Sequence, residues 1–132
     1  MPALNSKRLV KVVTVDDSPI IAERLQGILA ETNQVVFAGN ANCIATALEL
    51  IEKERPHIVI LDINLELDMP KCNGIDLLIM LRKNFSDIKI IMLTNLTDLR
   101  YRKTCLLLGA DYFLDKSNEF DKIADIVGGF TK

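Results

Sequence analysis

Polar residues that could bind a metal ion or a phosphoryl group lie at the ends of the apolar runs of this sequence. Two adjacent acids follow the first run, a third acid follows another run, and a threonine and a lysine follow two more. In chain order these residues are Asp16, Asp17, Asp62, Thr94 and Lys116. An Asp-Asp pair is often only a capping loop, and a lone threonine or lysine is often only solvated. The combination of all five at run ends is therefore the informative feature.

Three carboxylates brought within a few ångströms repel one another unless a cation lies between them or one takes a proton. Hard oxygen ligands favour Mg²⁺, which binds one or two carboxylates together with phosphate oxygens. Lys116 would add a compact positive charge able to contact a phosphoryl oxygen. A carboxylate in such surroundings is a plausible nucleophile for aspartyl-phosphate formation. The residues thus predict a magnesium-dependent phosphoryl site.

The intervening sequence predicts the elements that would position this site. Short apolar runs at 9–15, 35–38, 58–61, 88–93 and 112–114 alternate with helical patterns. Ser18 and Pro19 indicate the start of the first helix, and Asn42 is the predicted cap of the second. Gly109 closes the fourth. Alternating strands and helices imply right-handed crossovers and a parallel sheet covered on both faces.

We therefore predict an α/β fold, a three-layer, doubly wound (βα)5 sandwich. The size makes the flavodoxin-like strand order 2-1-3-4-5 the natural candidate, although periodicity does not give strand order. Ligands of such folds bind at the carboxyl ends of the strands, and the five polar residues fall at those ends. The 132 residues fit a single domain, with a core at about 9–130.

Composition narrows the remaining classes of function. The net charge of −2 argues against nucleic-acid binding by this domain. The apolar runs are too short for a membrane span and the N-terminus lacks a signal-peptide pattern, so we expect a cytoplasmic protein. Cys43, Cys72 and Cys105 match neither a disulfide framework nor a zinc site and are expected to be reduced thiols. His57 is expected to be structural rather than a phosphohistidine.

Several stretches of the sequence resemble the receiver domain of bacterial response regulators, the chemotaxis-type module of two-component systems. They are VDDSPI at 15–20, ERPHIVILDI at 54–63, MPKCNG at 69–74, IIMLT at 90–94 and LGADYFLDKS at 108–117. The resemblance covers essentially the whole chain. It implies a signalling phosphoprotein that acts in a phosphorelay and catalyses only its own phosphorylation and dephosphorylation, rather than an enzyme acting on other molecules.

The resemblance also implies a role for each matching residue. Asp62 is expected to accept the phosphoryl group. Asp17, Asp16 (partly through water), Asp62 and the backbone carbonyl of Asn64 are expected to bind Mg²⁺. Thr94 and Lys116 are expected to contact the phosphoryl oxygens, and Phe113 matches the aromatic side chain that turns inward on activation.

The implied partners are a histidine kinase or phosphotransfer protein as donor and a downstream protein or output domain. The downstream partner is expected on the face formed by the fourth helix, fifth strand and fifth helix. A weak homodimer is a further expectation. Arg100, Arg102 and Lys103 of the fourth helix are typical of a solvated face but could dock an acidic partner. The termini favour a stand-alone protein over a domain cut from a longer regulator.

The sequence departs from the family pattern in two places. The loop from Asp62 to Gly74 is several residues longer than usual and includes Glu66 and Asp68, which we expect to tune kinase or phosphatase access. Asn95 stands where the family usually has a small residue, and it either narrows entry to the phosphoryl group or hydrogen-bonds it.

Two other functions remain open at this point. A phosphate-independent receiver-like adaptor would not need the five polar residues that are present here. A small phosphohydrolase with an aspartyl intermediate would need a general acid two residues after Asp62, where Asn64 stands instead.

Overall fold

The computed structural model describes residues 9–131, which form five strands alternating with five helices. The strands are β1 (Val10–Val15), β2 (Val35–Ala41), β3 (Ile58–Leu61), β4 (Lys89–Thr94) and β5 (Tyr112–Asp115). The helices are α1 (Pro19–Glu31), α2 (Ile44–Glu54), α3 (Gly74–Asn84), α4 (Leu99–Leu107) and α5 (Lys122–Gly129). None of these helices is long and apolar enough to cross a bilayer.

The strands form one parallel sheet in the order β2-β1-β3-β4-β5, which confirms the predicted fold and strand order. Because β2 lies on one side of β1 and β3 lies on the other, the direction of the strand order reverses at β1. The carboxyl ends of β1 and β3 are neighbours, with Val15 paired to Leu61. The acids that follow these two strands are therefore adjacent.

Two apolar cores hold the helices against the sheet, one on each face. Leu25 and Leu29 of α1 and Ile123 and Val127 of α5 are buried in one core. The other core holds α2, α3 and α4 through residues such as Ile51, Leu78 and Cys105. This arrangement buries both faces of β3, whose four residues are all buried, and it explains why its sequence is apolar throughout rather than alternating.

The second strand is longer than the sequence predicts. It continues from Val35 past Ala38 to Ala41, with a register shift that pairs Val12 with Phe37 and Val13 with Gly39. A bulge of this kind inserts one extra residue in the strand, and Gly39 has a φ of 143° there. Gly39 and Asn40 are poor strand formers, which explains why the sequence pattern ends too early.

A single arginine ties the far end of α3 to the turn before β5. The Arg82 guanidinium donates to the carbonyl oxygens of Gly109 (2.6 Å), Ser86 (2.9 Å) and Ile88 (2.8 Å). Gly109 itself has a φ of 109°, which confirms the predicted left-handed residue after α4. The edge of the sheet opposite the acids is thus fixed by hydrogen bonds that a lysine could not reproduce.

The three cysteines are free thiols. Cys105 is fully buried in α4, and burial raises its pKa to about 11. Cys43 and Cys72 are half-buried. The exposed His57 accepts the backbone N–H of Lys11 on Nδ1 at 2.9 Å, which extends the β1–β3 pairing and is consistent with the structural role expected for it.

Candidate functional site

Backbone pairing brings the acids that follow β1 and β3 to one edge of the sheet. The Asp62 N–H donates to the Val15 carbonyl at 3.0 Å, and the Asp16 N–H donates to the Ala41 carbonyl at 3.0 Å. These bonds continue the sheet for one residue beyond each strand. Asp16 and Asp62 are consequently buried, with only 3% and 4% of their surfaces exposed. Buried carboxylates require compensation by hydrogen bonds or positive charge.

Lys116 provides the positive charge. Its Nζ atom lies 2.7 Å from Asp16 Oδ2 and 2.8 Å from Asp62 Oδ2, and its side chain is only 8% exposed. The Lys116 N–H donates to the Thr94 carbonyl at 2.9 Å, so the end of β4 fixes the backbone from which this side chain extends. The ammonium group of Lys116, which follows β5, thereby contacts the acids that follow β1 and β3.

The charged states of this cluster follow from burial and pairing. Burial raises the pKa of Asp16 above its ordinary value, although the hydrogen bond from Lys116 opposes the change. Burial alone would lower the pKa of Lys116, but its hydrogen bonds to Asp16 and Asp62 outweigh burial and raise it. The lysine therefore remains a cation at neutral pH, which suits it to contact an anionic ligand.

The third acid, Asp17, completes a donor set for a divalent cation. One carboxylate oxygen from each of Asp16, Asp17 and Asp62 lies within 4.8 Å of the other two. Three carboxylates against one ammonium leave a net charge of about −2 at this edge. Hard oxygen donors with that excess charge fit Mg²⁺, which keeps part of its water shell and leaves room for phosphate oxygens.

The remaining residues expected at this site lie at or near the same edge. Thr94 is completely buried, and its Oγ1 accepts the Leu96 N–H at 3.2 Å. Asn95 is exposed, and its Oδ1 accepts the Ser117 hydroxyl at 3.1 Å. Asn64 is also exposed, and its N–H donates to Asp62 Oδ1 at 3.2 Å.

Phe113 lies in β5, which β4 separates from β3, and it pairs with Met92 of β4. Its ring is 4% exposed and packs in the core beneath α4. The guanidinium carbon of Arg102 lies 5.8 Å from the ring centroid, and Arg102 also donates to the Phe113 carbonyl at 3.3 Å. The aromatic side chain is thus buried and covered by an arginine of α4.

The lengthened loop after Asp62 is folded against the domain rather than extended into solvent. Leu65 is completely buried, and the Glu66 N–H donates to Asp17 Oδ2 at 2.8 Å. The Glu66 side chain is exposed. The Asp68 carboxylate instead points to α2, where Oδ2 accepts the Ile44 N–H at 2.7 Å.

The structure also reveals supporting residues that the sequence reasoning missed. The buried Thr14 hydroxyl donates to Asn40 Oδ1 at 2.6 Å, and Asn40 Nδ2 donates to the Asp16 carbonyl at 3.2 Å. These bonds fix the backbone of Asp16 from the neighbouring strand. The signal that could have identified them is Thr14, a polar residue inside an otherwise apolar run.

Comparisons with known proteins agree with this geometry. The family model described as "Response regulator receiver domain" matches residues 12–128. The transcriptional regulatory protein MctR of Rhizobium johnstonii is 26% identical over 118 residues, which are 89% of this chain and 53% of that protein. DegU of Brevibacillus brevis, also a transcriptional regulatory protein, is 29% identical over 118 residues, which are 89% of this chain and 48% of that protein. The chain therefore spans about half the length of these curated relatives.

A solved structure shows the same likeness in three dimensions. The signal receiver domain of the response regulator NarL from Mycobacterium tuberculosis superposes with a TM-score of 0.81 at 25% identity. The match covers 94% of this chain and 97% of that one. The strand order, the acids at the strand ends and the family match lead to one conclusion: this chain belongs to the response regulator receiver domains of two-component signalling systems.

Proposed function

We propose that Asp62 accepts a phosphoryl group from a phosphohistidine in a Mg²⁺-dependent reaction that the domain itself promotes. The observation that carries this proposal is the contact of the Lys116 ammonium with the carboxylates of Asp62 (2.8 Å) and Asp16 (2.7 Å). Asp62 is a buried acid that contacts a cation and lies beside two further acids. If Asp62 formed an acyl phosphate, the nearby cation would neutralise part of its negative charge.

In the proposed reaction, one carboxylate oxygen of Asp62 attacks the phosphorus atom and forms a new P–O bond. The P–N bond of the phosphohistidine breaks, and its electron pair returns to the imidazole ring of the donor. Lys116 stays protonated throughout and stabilises the negative charge on the phosphoryl oxygens. Asp16, Asp17 and Asp62, with the Asn64 carbonyl, would hold Mg²⁺, which supplies further positive charge to those oxygens.

The partners and the readout belong to the same proposal. A histidine kinase or phosphotransfer protein would supply the phosphoryl group, and the surface of α4, β5 and α5 would meet a downstream partner. Thr94, at the end of β4, and Phe113, paired with the same strand, give a short path from the acids to α4. We expect the domain to act in the cytoplasm on its own Asp62, and to hydrolyse the acyl phosphate without acting on other substrates.

The proposal is tested by incubating the protein with Mg²⁺ and acetyl phosphate and measuring the intact mass. We expect the addition of one phosphoryl group, which is absent in Asp62→Asn and after chelation of the metal. A protein that gains no phosphoryl group would instead be a phosphate-independent adaptor. Rapid turnover of external phosphoesters would indicate a phosphohydrolase, and either result would overturn the proposal.

A further inference from the structure

The loop between β3 and α3 has an internal fold of its own. The Leu65 carbonyl accepts the N–H groups of both Asp68 (3.0 Å) and Met69 (3.2 Å), and the Asp68 carbonyl accepts the Cys72 N–H at 3.1 Å. The Leu65 side chain is fully buried in the core shared by α2, α3 and α4. Successive turns with a buried anchor make this loop a compact unit, so a contact at one of its residues can fix the position of another.

The Glu66 amide of this unit contacts the proposed metal site. The Glu66 N–H donates to Asp17 Oδ2 at 2.8 Å, although the two residues are 49 positions apart. A carboxylate offers about four acceptor positions, so this bond leaves others for a cation. Hydrogen bonds to ligand carboxylates fix their orientation and strengthen metal binding. The Glu66 amide is therefore placed to orient Asp17.

A second contact, two residues after Glu66, attaches the unit to α2. Cys43 occupies the N-cap position of α2 but makes no side-chain capping bond, and the predicted cap Asn42 lies one residue too early. Asp68 takes this role from the loop, because its Oδ2 accepts the Ile44 N–H at 2.7 Å. A carboxylate at a helix N-terminus is further stabilised by the helix dipole. Asp68 thus holds the loop to a rigid element.

We infer that Asp68 is a positioning residue for the metal ligand Asp17. By holding the loop to α2, it keeps the Glu66 amide against the Asp17 carboxylate and fixes that carboxylate for Mg²⁺. The inference rests on the proposed magnesium site and adds to it a contact made from the lengthened loop. The role of Asp68 then differs from the one expected from the sequence. Its carboxylate supports the site through α2 instead of adding free charge beside Asp62.

The test measures Mg²⁺ affinity by titration calorimetry of the whole chain. Asp68→Ala is expected to weaken Mg²⁺ binding about tenfold, at the low end of the range for lost outer-shell contacts. Asp68→Asn keeps an acceptor oxygen for the Ile44 N–H and should stay close to the unaltered protein. Glu49→Gln removes a charge from an exposed position of α2 and controls for the loss of negative charge.

A second variant separates positioning from simple stabilisation of α2. Cys43→Ser in the Asp68→Ala background supplies α2 with a local side-chain cap but leaves the loop detached. We expect this double variant to regain thermal stability while its Mg²⁺ affinity stays weak. Recovery of the affinity together with stability would show that Asp68 acts only through the helix.

The Glu66 amide gives a readout that does not depend on phosphorylation. Its hydrogen exchange should be slow in the unaltered protein and faster in Asp68→Ala. Unchanged Mg²⁺ affinity in Asp68→Ala would overturn the inference while leaving the magnesium site intact. The proposed function itself fails if the unaltered protein does not bind Mg²⁺, or if Asp17→Asn binds it equally well. The failure of the inference and the failure of the proposed function are therefore distinguishable.

Discussion

At the scale of single residues, Lys116 determines the electrostatics of the acid cluster. It bridges Asp16 and Asp62 and is almost entirely buried. In the proposed function the same ammonium group would have two opposing effects. It would weaken the attraction of the carboxylates for another cation, and it would stabilise a phosphoryl group carried by Asp62. Substitutions at this position should therefore separate metal binding from phosphorylation.

We expect Lys116→Met to bind Mg²⁺ at least as tightly as the unaltered protein but to become phosphorylated about 100-fold more slowly. Loss of the lysine removes a competing positive charge, yet it also removes the donor that stabilises the phosphoryl oxygens. Calorimetry and the rate of mass gain with acetyl phosphate measure the two effects. Lys122→Met, which removes an exposed lysine paired with Glu119, is the control and should change neither. A parallel loss of both properties would contradict this account.

The raised pKa of Asp16 predicts how metal binding depends on pH. Metal ligands must be deprotonated, so protons would compete with Mg²⁺ for this carboxylate at the proposed site. As pH falls through the pKa of Asp16, which lies above the ordinary 3.8, the affinity for Mg²⁺ should fall. Calorimetric titrations at decreasing pH, with circular dichroism to confirm folding, measure this change. Affinity that stays constant down to pH 3.8 would show that burial does not raise this pKa.

At the scale of elements, the start of α3 is packed directly on the backbone of Asp62 and Ile63. The Gly74 N–H donates to the Ile63 carbonyl at 2.7 Å. A β-carbon at position 74 would overlap the Asp62 carbonyl oxygen and lie 2.8 Å from the Ile63 α-carbon. Both neighbours are backbone atoms and have little freedom to move away. The capping box of Asn73 and Asp76 fixes the same end of the helix.

Gly74→Ala should therefore destabilise the protein by about 1–3 kcal/mol or more, and displace Asp62. Gly27→Ala is the matched control, since a β-carbon there meets nothing within 4 Å and the residue lies inside α1. This control should stabilise the protein by about 0.5–1 kcal/mol, because alanine favours the helix. Urea unfolding of both variants measures the difference. Equal effects would indicate that the close approach at position 74 relaxes freely.

At the scale of the whole molecule, the acid edge is connected to the surface of α4 through β4 and β5. Thr94 ends β4, Phe113 pairs with the same strand, and Arg102 covers the Phe113 ring. Phosphorylation with acetyl phosphate and Mg²⁺ should therefore shift the amide resonances of Arg102 and Lys103, while those of Lys53 on α2 change little. Resonance shifts confined to the loop after Asp62 would contradict a connection of this kind.

The parts of the molecule that sequence could predict are those encoded locally. Asp62 and Lys116 follow apolar strands, and parallel strands must present their carboxyl ends on one edge, so their meeting follows from topology. Local sequence patterns do not predict the features that depend on contacts between residues far apart in the chain. The extension of β2 depends on pairing with β1 through a bulge at Gly39. The cap of α2 comes from Asp68, 24 positions away, rather than from Asn42.

The placement of the thiols makes the contact between loop and helix open to kinetic measurement. Cys43 directly precedes Ile44, and the Cys72 N–H donates to the Asp68 carbonyl, so each partner of the Asp68–Ile44 bond is tied through the backbone to a half-buried cysteine. Cys105 is buried with a pKa of about 11 and should be inert to alkylation. The rate of iodoacetamide labelling at Cys43 and Cys72 should thus report how often the loop detaches from α2. The native sequence serves as its own reporter, with no introduced label site.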